Sequence, residues 1–244
     1  MCSVSSRLAG ALSVVGREAL RIVLPSPCVA CGRELPWRDR TASCCGECWA
    51  KLPKILTTKC TSCARPYEGL HCVPCALDPL PLEWCETFGL YEGPLVPMVT
   101  ALKYRRHDFL DEALAGLMEE ALRARGDLAF DALVPVPMAR TKERRRGYNQ
   151  ATLLALALSR RIGVPCDMTL LARGAERSTQ ASLRKKDRAA NVLGAFTASD
   201  GAHAKQILIV DDISTTGETF RACARALHGS GAARVCAVSV AKAI

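Results

Sequence analysis

Between Ile207 and Thr219 the chain reads Ile-Leu-Ile-Val-Asp-Asp-Ile-Ser-Thr-Thr-Gly-Glu-Thr, and no other stretch leaves so little choice of local structure. Four consecutive aliphatic residues, Ile207 to Val210, suit a strand buried on both faces, since a half-exposed strand would alternate. The residues from Thr219 to His228 suit a helix packed beside that strand. The turn between them therefore sits where a strand hands over to a helix N-terminus. At such a place unpaired backbone N–H groups and the positive end of the helix dipole favour a phosphate. Ser214, Thr215, Thr216 and Thr219 add hydroxyl groups, Glu218 opens the helix, and Gly217 lets the backbone come close.

Asp211 and Asp212 need a separate reason, because carboxylates beside a phosphate site are unfavourable unless they hold something else. Vicinal ribose hydroxyls or a Mg²⁺ ion would serve. Two carboxylates on a sugar's hydroxyls, with the following turn on its 5′-phosphate, describe a phosphoribosyl group. The segment resembles the phosphoribosyl pyrophosphate (PRPP) motif of type I phosphoribosyltransferases. The resemblance implies a catalytic place for Asp211 and Asp212 and a 5′-phosphate site over Ser214, Thr215, Thr216, Gly217, Glu218 and Thr219, with Mg²⁺ arriving with PRPP. The alternative is a chance acidic turn before a helix capped by Ser214 or Thr215.

Fourteen cysteines among 244 residues is a high count. Eight of them form four Cys-x-x-Cys pairs, Cys28/Cys31, Cys45/Cys48, Cys60/Cys63 and Cys72/Cys75. About one such pair would arise by chance over the whole chain. Each pair places two thiolates on one side of a tight knuckle, and two knuckles close a tetrahedral Zn²⁺ site. Sequential pairing gives Cys28, Cys31, Cys45 and Cys48 for one centre and Cys60, Cys63, Cys72 and Cys75 for the other. The spacing leaves other pairings open, lets Cys44 replace Cys45, and allows only one centre to be filled. Disulfides are the rival use of these cysteines. Against them, Arg17, Glu18 and Arg21 interrupt the apolar core that a secretory segment would need, and no stretch is long enough to span a membrane. The expectation is a cytoplasmic protein with structural zinc and no membrane insertion.

A composition 49% apolar supports one α/β domain of ordinary size plus a small module. The pattern divides into three parts. Residues 1 to 27 hold an amphipathic helix over 1 to 24, residues 28 to 78 a cysteine module too small to bury its own core, and residues 82 to 244 alternating strands and helices. Strands are expected at Glu86 to Tyr91, Ala132 to Pro137, Met168 to Leu171, Ile207 to Val210 and Arg234 to Val240. Helices are expected over Gln150 to Ile162 and along the face made by Leu110, Leu114, Leu117 and Ala121. Such alternation means a mostly parallel sheet covered on both faces, whose ligands bind beyond the carboxyl ends of the strands.

The formal charge of +9 points to anionic partners, phosphorylated small molecules or nucleic acid. Three basic stretches fall in expected loops: Lys103-Tyr104 with residues 105 to 107, Arg140 to Gln150, and Arg184 to Arg188. A loop bearing arginines beside a phosphoribosyl site is suited to the pyrophosphate of PRPP. Lys103, Tyr104, Arg146 and Gln150 are the candidates for that contact.

Taken in order, the four knuckles, Leu102-Lys103-Tyr104, Val134-Pro-Val-Pro137, Arg145-Arg-Gly-Tyr-Asn-Gln150, Thr179 to Leu183 with Arg188 and Asn191, and the PRPP motif are similar to the ComF/GntX family along nearly the whole chain. The resemblance implies a type I phosphoribosyltransferase-like, Rossmann-like domain behind a zinc module. It also implies a setting in natural competence, the handling of incoming single-stranded DNA, with PRPP, single-stranded DNA and competence proteins such as a helicase-like partner as candidate partners. Gluconate utilisation is the setting of other relatives. Ser214 departs from the pattern, since relatives commonly carry an aliphatic residue there, and its hydroxyl either joins the cradle or faces solvent. Two functions stay open: a Mg²⁺-dependent glycosyltransferase moving phosphoribosyl to an unidentified acceptor, or a non-catalytic module that binds single-stranded DNA or senses PRPP.

Overall fold

The computed structural model describes residues 27–35, 43–104, 110–174 and 195–244. The expected N-terminal helix, residues 105 to 107, and the stretch holding Thr179 to Leu183, Arg184 to Arg188 and Asn191 lie outside the described residues. Two short helices, α1 (Gly46–Ala50) and α2 (Val73–Leu77), belong to the cysteine module. They are followed by β1 (Cys85–Leu90), α3 (Leu95–Tyr104), α4 (Leu110–Arg125), β2 (Ala132–Pro135), α5 (Arg140–Arg146), α6 (Gln150–Ile162), β3 (Leu171–Arg173), β4 (Phe196–Ala198), β5 (Gln206–Ser214), α7 (Glu218–Gly229) and β6 (Arg234–Lys242).

Four strands form a parallel sheet in the order β1-β6-β5-β2. The expected aliphatic strand is interior: β5 pairs with β2 from Ala132↔Ile207 to Pro135↔Val210, and with β6 from Gln206↔Arg234 to Ser214↔Lys242. Side chains alternate between the two faces, so a run buried on both needs cover on both. Leu208 and Val210 face a core with Leu110, Leu114 and Leu117 of α4 and Leu154 and Leu158 of α6. Ile207 and Ile209 face a second core with Phe220, Cys223 and Leu227 of α7. Each fully buried leucine or isoleucine contributes about 2–3 kcal/mol of apolar transfer free energy.

The helix over Gln150–Ile162 has the expected limits because both ends are written into the sequence. Asn149 Oδ1 accepts from Ala151 N at 3.1 Å as the N-cap, and Gly163 stops the helix with φ +74°. The expected strand at Met168 to Leu171 is shifted to Leu171–Arg173, where it pairs antiparallel with β4. Asp167 is the reason: its Oδ1 accepts from the backbone N–H of Thr169 at 2.9 Å and bends the chain, leaving Met168 exposed. The arginine stretch expected as a loop is instead a helix from Arg140 to Arg146, ended by Gly147 at φ +85°. Strand β5 also runs on past Val210, so Asp211 and Asp212 stand inside the strand rather than in the turn.

The cysteine module straddles the β1 edge of this sheet. Cys28, Leu35, Cys44 and Cys45 join the core on the α4–α6 face, while Cys60, Cys63, Ala64, Cys72 and Cys75 join the core on the α7 face. Between them the chain at 53–55 lies along the edge strand: Lys54 bridges Gly89 antiparallel, Leu90 N donates to Pro53 O at 2.9 Å, and Ile55 N donates to Phe88 O at 3.1 Å. The exposed edge that a parallel sheet would otherwise present is thereby paired. Approach is close enough that a Cβ on Gly89 would lie 2.4 Å from the Pro53 carbonyl oxygen. Gly89→Ala is therefore expected to cost about 1–3 kcal/mol, read as a lower urea midpoint; an unchanged midpoint would mean that this strap does not cover the edge in solution.

Candidate functional site

The carboxyl ends of β5, β6 and β2 converge on one rim, and every described site candidate outside the cysteine module lies there or on the elements that meet it. Asp212 is buried, with Oδ2 2.8 Å from Lys103 Nζ at the end of α3, an ion pair whose geometry lies off the line of a hydrogen bond. The Asp212 backbone N–H donates to Asp211 Oδ1 at 2.8 Å. Burial, with the Asp212 carboxylate adding to it, pushes the Asp211 carboxyl well above the usual carboxylate range. Two adjacent acids on a buried strand, with one nearby ammonium, are held in want of further positive or hydrogen-bond-donating groups.

Beyond them the chain turns through Thr215 and Thr216 to Gly217, at φ +88°, and enters α7. Gly217 is the helix N-cap and no side chain caps the helix, so neither Ser214 nor Thr215 plays that part. Glu218 N makes a long 3.5 Å contact with Thr216 Oγ1. The turn encloses a cavity of about 210 Å³ lined by Asp211, Ser214, Thr215, Thr216, Gly217, Glu218 and Thr219. Glu218 Oε1 is drawn toward Arg221 Nε at 3.2 Å, which limits its charge at the cavity. Ser214 is buried rather than facing solvent, and its Oγ accepts from Lys242 Nζ at 3.4 Å.

The Lys103-Tyr104 and Arg146 to Gln150 segments meet beside the acidic pair. Arg146 lies over the Tyr104 ring at 5.3 Å and donates to Gln150 Oε1. Tyr148 Oη donates to Leu102 O at 2.7 Å, and Asn149 Nδ2 donates to Val136 O at 2.9 Å. Tyr148 and Asn149 thus anchor the segment, leaving Arg146, Gln150, Lys103 and Tyr104 on the rim. Lys242 is a residue that the sequence reading passed over. It is the last residue of β6, 1% exposed, and sits behind the turn. Its signal was a single lysine closing an otherwise aliphatic strand.

The eight paired cysteines form two tetrads by sequential pairing. Within each, the four Sγ atoms lie within 4.8 Å of one another. A tetrahedral ion with 2.3 Å bonds to sulfur needs edges of about 3.8 Å, and Cys31–Cys45 at 3.8 Å and Cys63–Cys72 at 3.6 Å match it. Burial pushes the Cys28 thiol up, but backbone N–H donors of Cys45, Cys31 and Ala30 outweigh it and bring it to about 6. Cys60 is likewise brought to about 6 against burial by the N–H groups of Cys72 and Cys63. Thiolates with N–H donors aimed at sulfur have the donor chemistry and size of structural zinc sites. Cys44 is outside the tetrad, its thiol pushed up to about 12 by burial and by neighbouring Cys28. The described cysteines are free thiols, without disulfides.

Residues 145–244 match the phosphoribosyl transferase domain family. The chain is 32% identical over 197 residues to the DNA utilization protein YhgH of Escherichia coli, covering 78% of this chain and 86% of that protein. It is 26% identical over 234 residues to Competence protein F of Haemophilus influenzae, covering 93% and 95%. Competence protein ComFC of Bacillus subtilis is 28% identical over 198 residues, covering 78% and 79%. With two cysteine tetrads ahead of a parallel sheet whose central strand ends in the acidic pair and phosphate-type turn, the chain belongs to the ComF/GntX family of phosphoribosyltransferase-like proteins.

Proposed function

We propose that the rim binds PRPP and supports phosphoribosyl transfer in the processing of incoming DNA. The observation that carries the reading is a cavity that Asp211 shares with an uncapped helix N-terminus, with the buried Asp212 next to it in the strand. Asp211 and Asp212 would accept the ribose hydroxyls, and Thr215 to Thr219 would hold the 5′-phosphate through backbone N–H and hydroxyl donors. Lys103, Arg146 and Gln150, with Tyr104 supporting Arg146, lie where the pyrophosphate would leave. A Mg²⁺ ion bound with PRPP would be served by the same carboxylates and would neutralise pyrophosphate charge. As the bond from C1 to pyrophosphate breaks, positive charge grows on the ribose ring, and the two carboxylates stabilise it. An acceptor nitrogen then attacks C1 from the opposite face. The relatives' names, Competence protein F, ComFC and the DNA utilization protein YhgH, support a setting in competence and DNA utilisation for this reading, and cysteine tetrads suited to metal support a cytoplasmic one.

Asp211→Asn with Asp212→Asn is expected to weaken Mg²⁺-PRPP binding by two orders of magnitude or so, measured by calorimetry; untouched affinity would remove the assigned pocket. Wild-type protein should also release pyrophosphate from PRPP once the acceptor is present. The raised Asp211 carboxyl adds a pH dependence. It carries its proton below its raised titration point and must lose it to serve the bound ligand. Affinity is therefore expected to rise with pH up to that point, with proton release visible as a dependence of binding heat on buffer ionisation enthalpy.

We propose zinc at both tetrads. Elemental analysis is expected to give two zinc ions per chain, falling to one in Cys28→Ser; an unchanged count would take Cys28 out of the ligand set.

A second reading rests on helix α5. Arg144 and Arg145 are exposed and have no ion-pair partner among the described residues, on the rim where Arg146 meets Tyr104. Such a basic rim suits the backbone of single-stranded DNA, with Tyr104, 73% exposed, available for stacking. Arg144→Gln with Arg145→Gln should reduce the salt slope of single-strand binding by about two; salt-insensitive or absent binding in the wild type would end this reading.

A further inference from the structure

Two contacts join the segment that follows the second cysteine centre to the turn after Asp212, and a third residue holds that turn from behind. Segment Asp78–Leu80 leaves α2, the helix that carries Cys75, and passes directly beneath the turn. A Cβ on Gly217 would lie 2.8 Å from Leu80 Cδ1, so the turn rests on this leucine. Arg221, in the first turn of α7 and 8% exposed, donates to Asp78 Oδ1, Asp78 O and Pro79 O, each at 3.0 Å. The residue behind the turn is Lys242, whose Nζ donates to Thr215 O at 2.5 Å and to Ser214 Oγ at 3.4 Å.

Lys242 is a 99% buried ammonium held by two neutral oxygens, with no carboxylate paired to it among the described residues. A buried charge without a counter-charge is costly. Four thiolates around one divalent cation leave a net negative centre, and the Cys60/Cys63/Cys72/Cys75 tetrad lies in the same core as α7, the helix that the turn enters. The first tetrad packs on the opposite face and shares none of these contacts.

We infer that the Cys60/Cys63/Cys72/Cys75 metal centre and the phosphate cradle are one mechanical unit, with Lys242 as the positioning residue that holds Ser214 and Thr215 from behind, so that metal at the centre and phosphate in the cradle stabilise each other. The inference rests on the PRPP reading for the identity of the cradle's ligand. Coupling between two sites is reciprocal, so each ligand must change the affinity for the other by the same factor.

The test uses the full chain loaded with zinc, as wild type, Lys242→Met and Lys242→Arg. Zinc release to a chelating dye is followed with and without Mg²⁺-PRPP or ribose 5-phosphate, and alkylation mapping by mass spectrometry assigns each release phase to its four cysteines. PRPP is expected to slow release from the second centre about tenfold and to leave the first unchanged. Lys242→Met should bind PRPP and ribose 5-phosphate about tenfold or more weakly, release zinc from the second centre faster, and show no protection by PRPP; Lys242→Arg, which keeps the charge, should restore part of each. Lys242→Met with wild-type affinity and wild-type zinc release would overturn the inference, as would equal protection of both centres. If wild-type protein binds neither sugar phosphate, the PRPP reading falls, but faster zinc loss from the second centre in Lys242→Met would still show the link and an unchanged rate would end it.

Discussion

A four-stranded parallel sheet has two faces to cover and two edges to close, and the described helices do not cover them all. Helices α4 and α6 fill one face and α7 with the β3–β4 pair fills much of the other, leaving the β1 side incomplete. The cysteine module closes it. One tetrad lies in each core, and the chain between them pairs with the β1 edge. The module is too short to bury a core alone, and the sheet has an edge in want of a partner. Each part supplies what the other lacks. This is why the cysteine tetrads belong to the packing of the whole sheet rather than to an appended tail.

The rim chemistry follows from the same packing. Because β5 is interior, its register with β2 and β6 continues to Ser214, and the acidic pair is carried into surroundings where charge is poorly solvated. Carboxylates so placed hold a proton or recruit cations, and Lys103 is the cation this chain provides for Asp212. A ligand that brings hydroxyl donors or a divalent cation to Asp211 relieves the same constraint. The uncapped N-terminus of α7 beside it supplies the opposite polarity for phosphate. One strand end thus sets Asp211 and the free N–H groups of the α7 N-terminus against a single cavity.

Local signals were enough for much of this. The aliphatic run before Asp211 announced a buried strand, the leucine- and alanine-rich run from Gln150 to Ile162 announced a helix, and the Cys-x-x-Cys spacing announced knuckles without settling which of them pair. Other local signals were read past. Asp167 bends the chain two residues ahead where hydropathy suggested a strand, and the arginine-rich stretch, read as a loop from its place after a strand end, is a short helix that Gly147 stops.

The sequence by itself determined the kind of site: two carboxylates, a hydroxyl-rich turn and a glycine at a strand-to-helix junction are short-range chemistry, readable in thirteen consecutive residues. Only the tertiary structure decided what supports it. Lys242 lies 27 residues beyond Thr215, and Arg221 reaches across 143 residues to Asp78. A lone lysine or arginine in the sequence reads as a surface charge, because burial is a property of what folds around it. The packing of one tetrad on each face, and the seating of the turn on Leu80 just beyond the second of them, came from the sheet's need for cover, which no local spacing encodes.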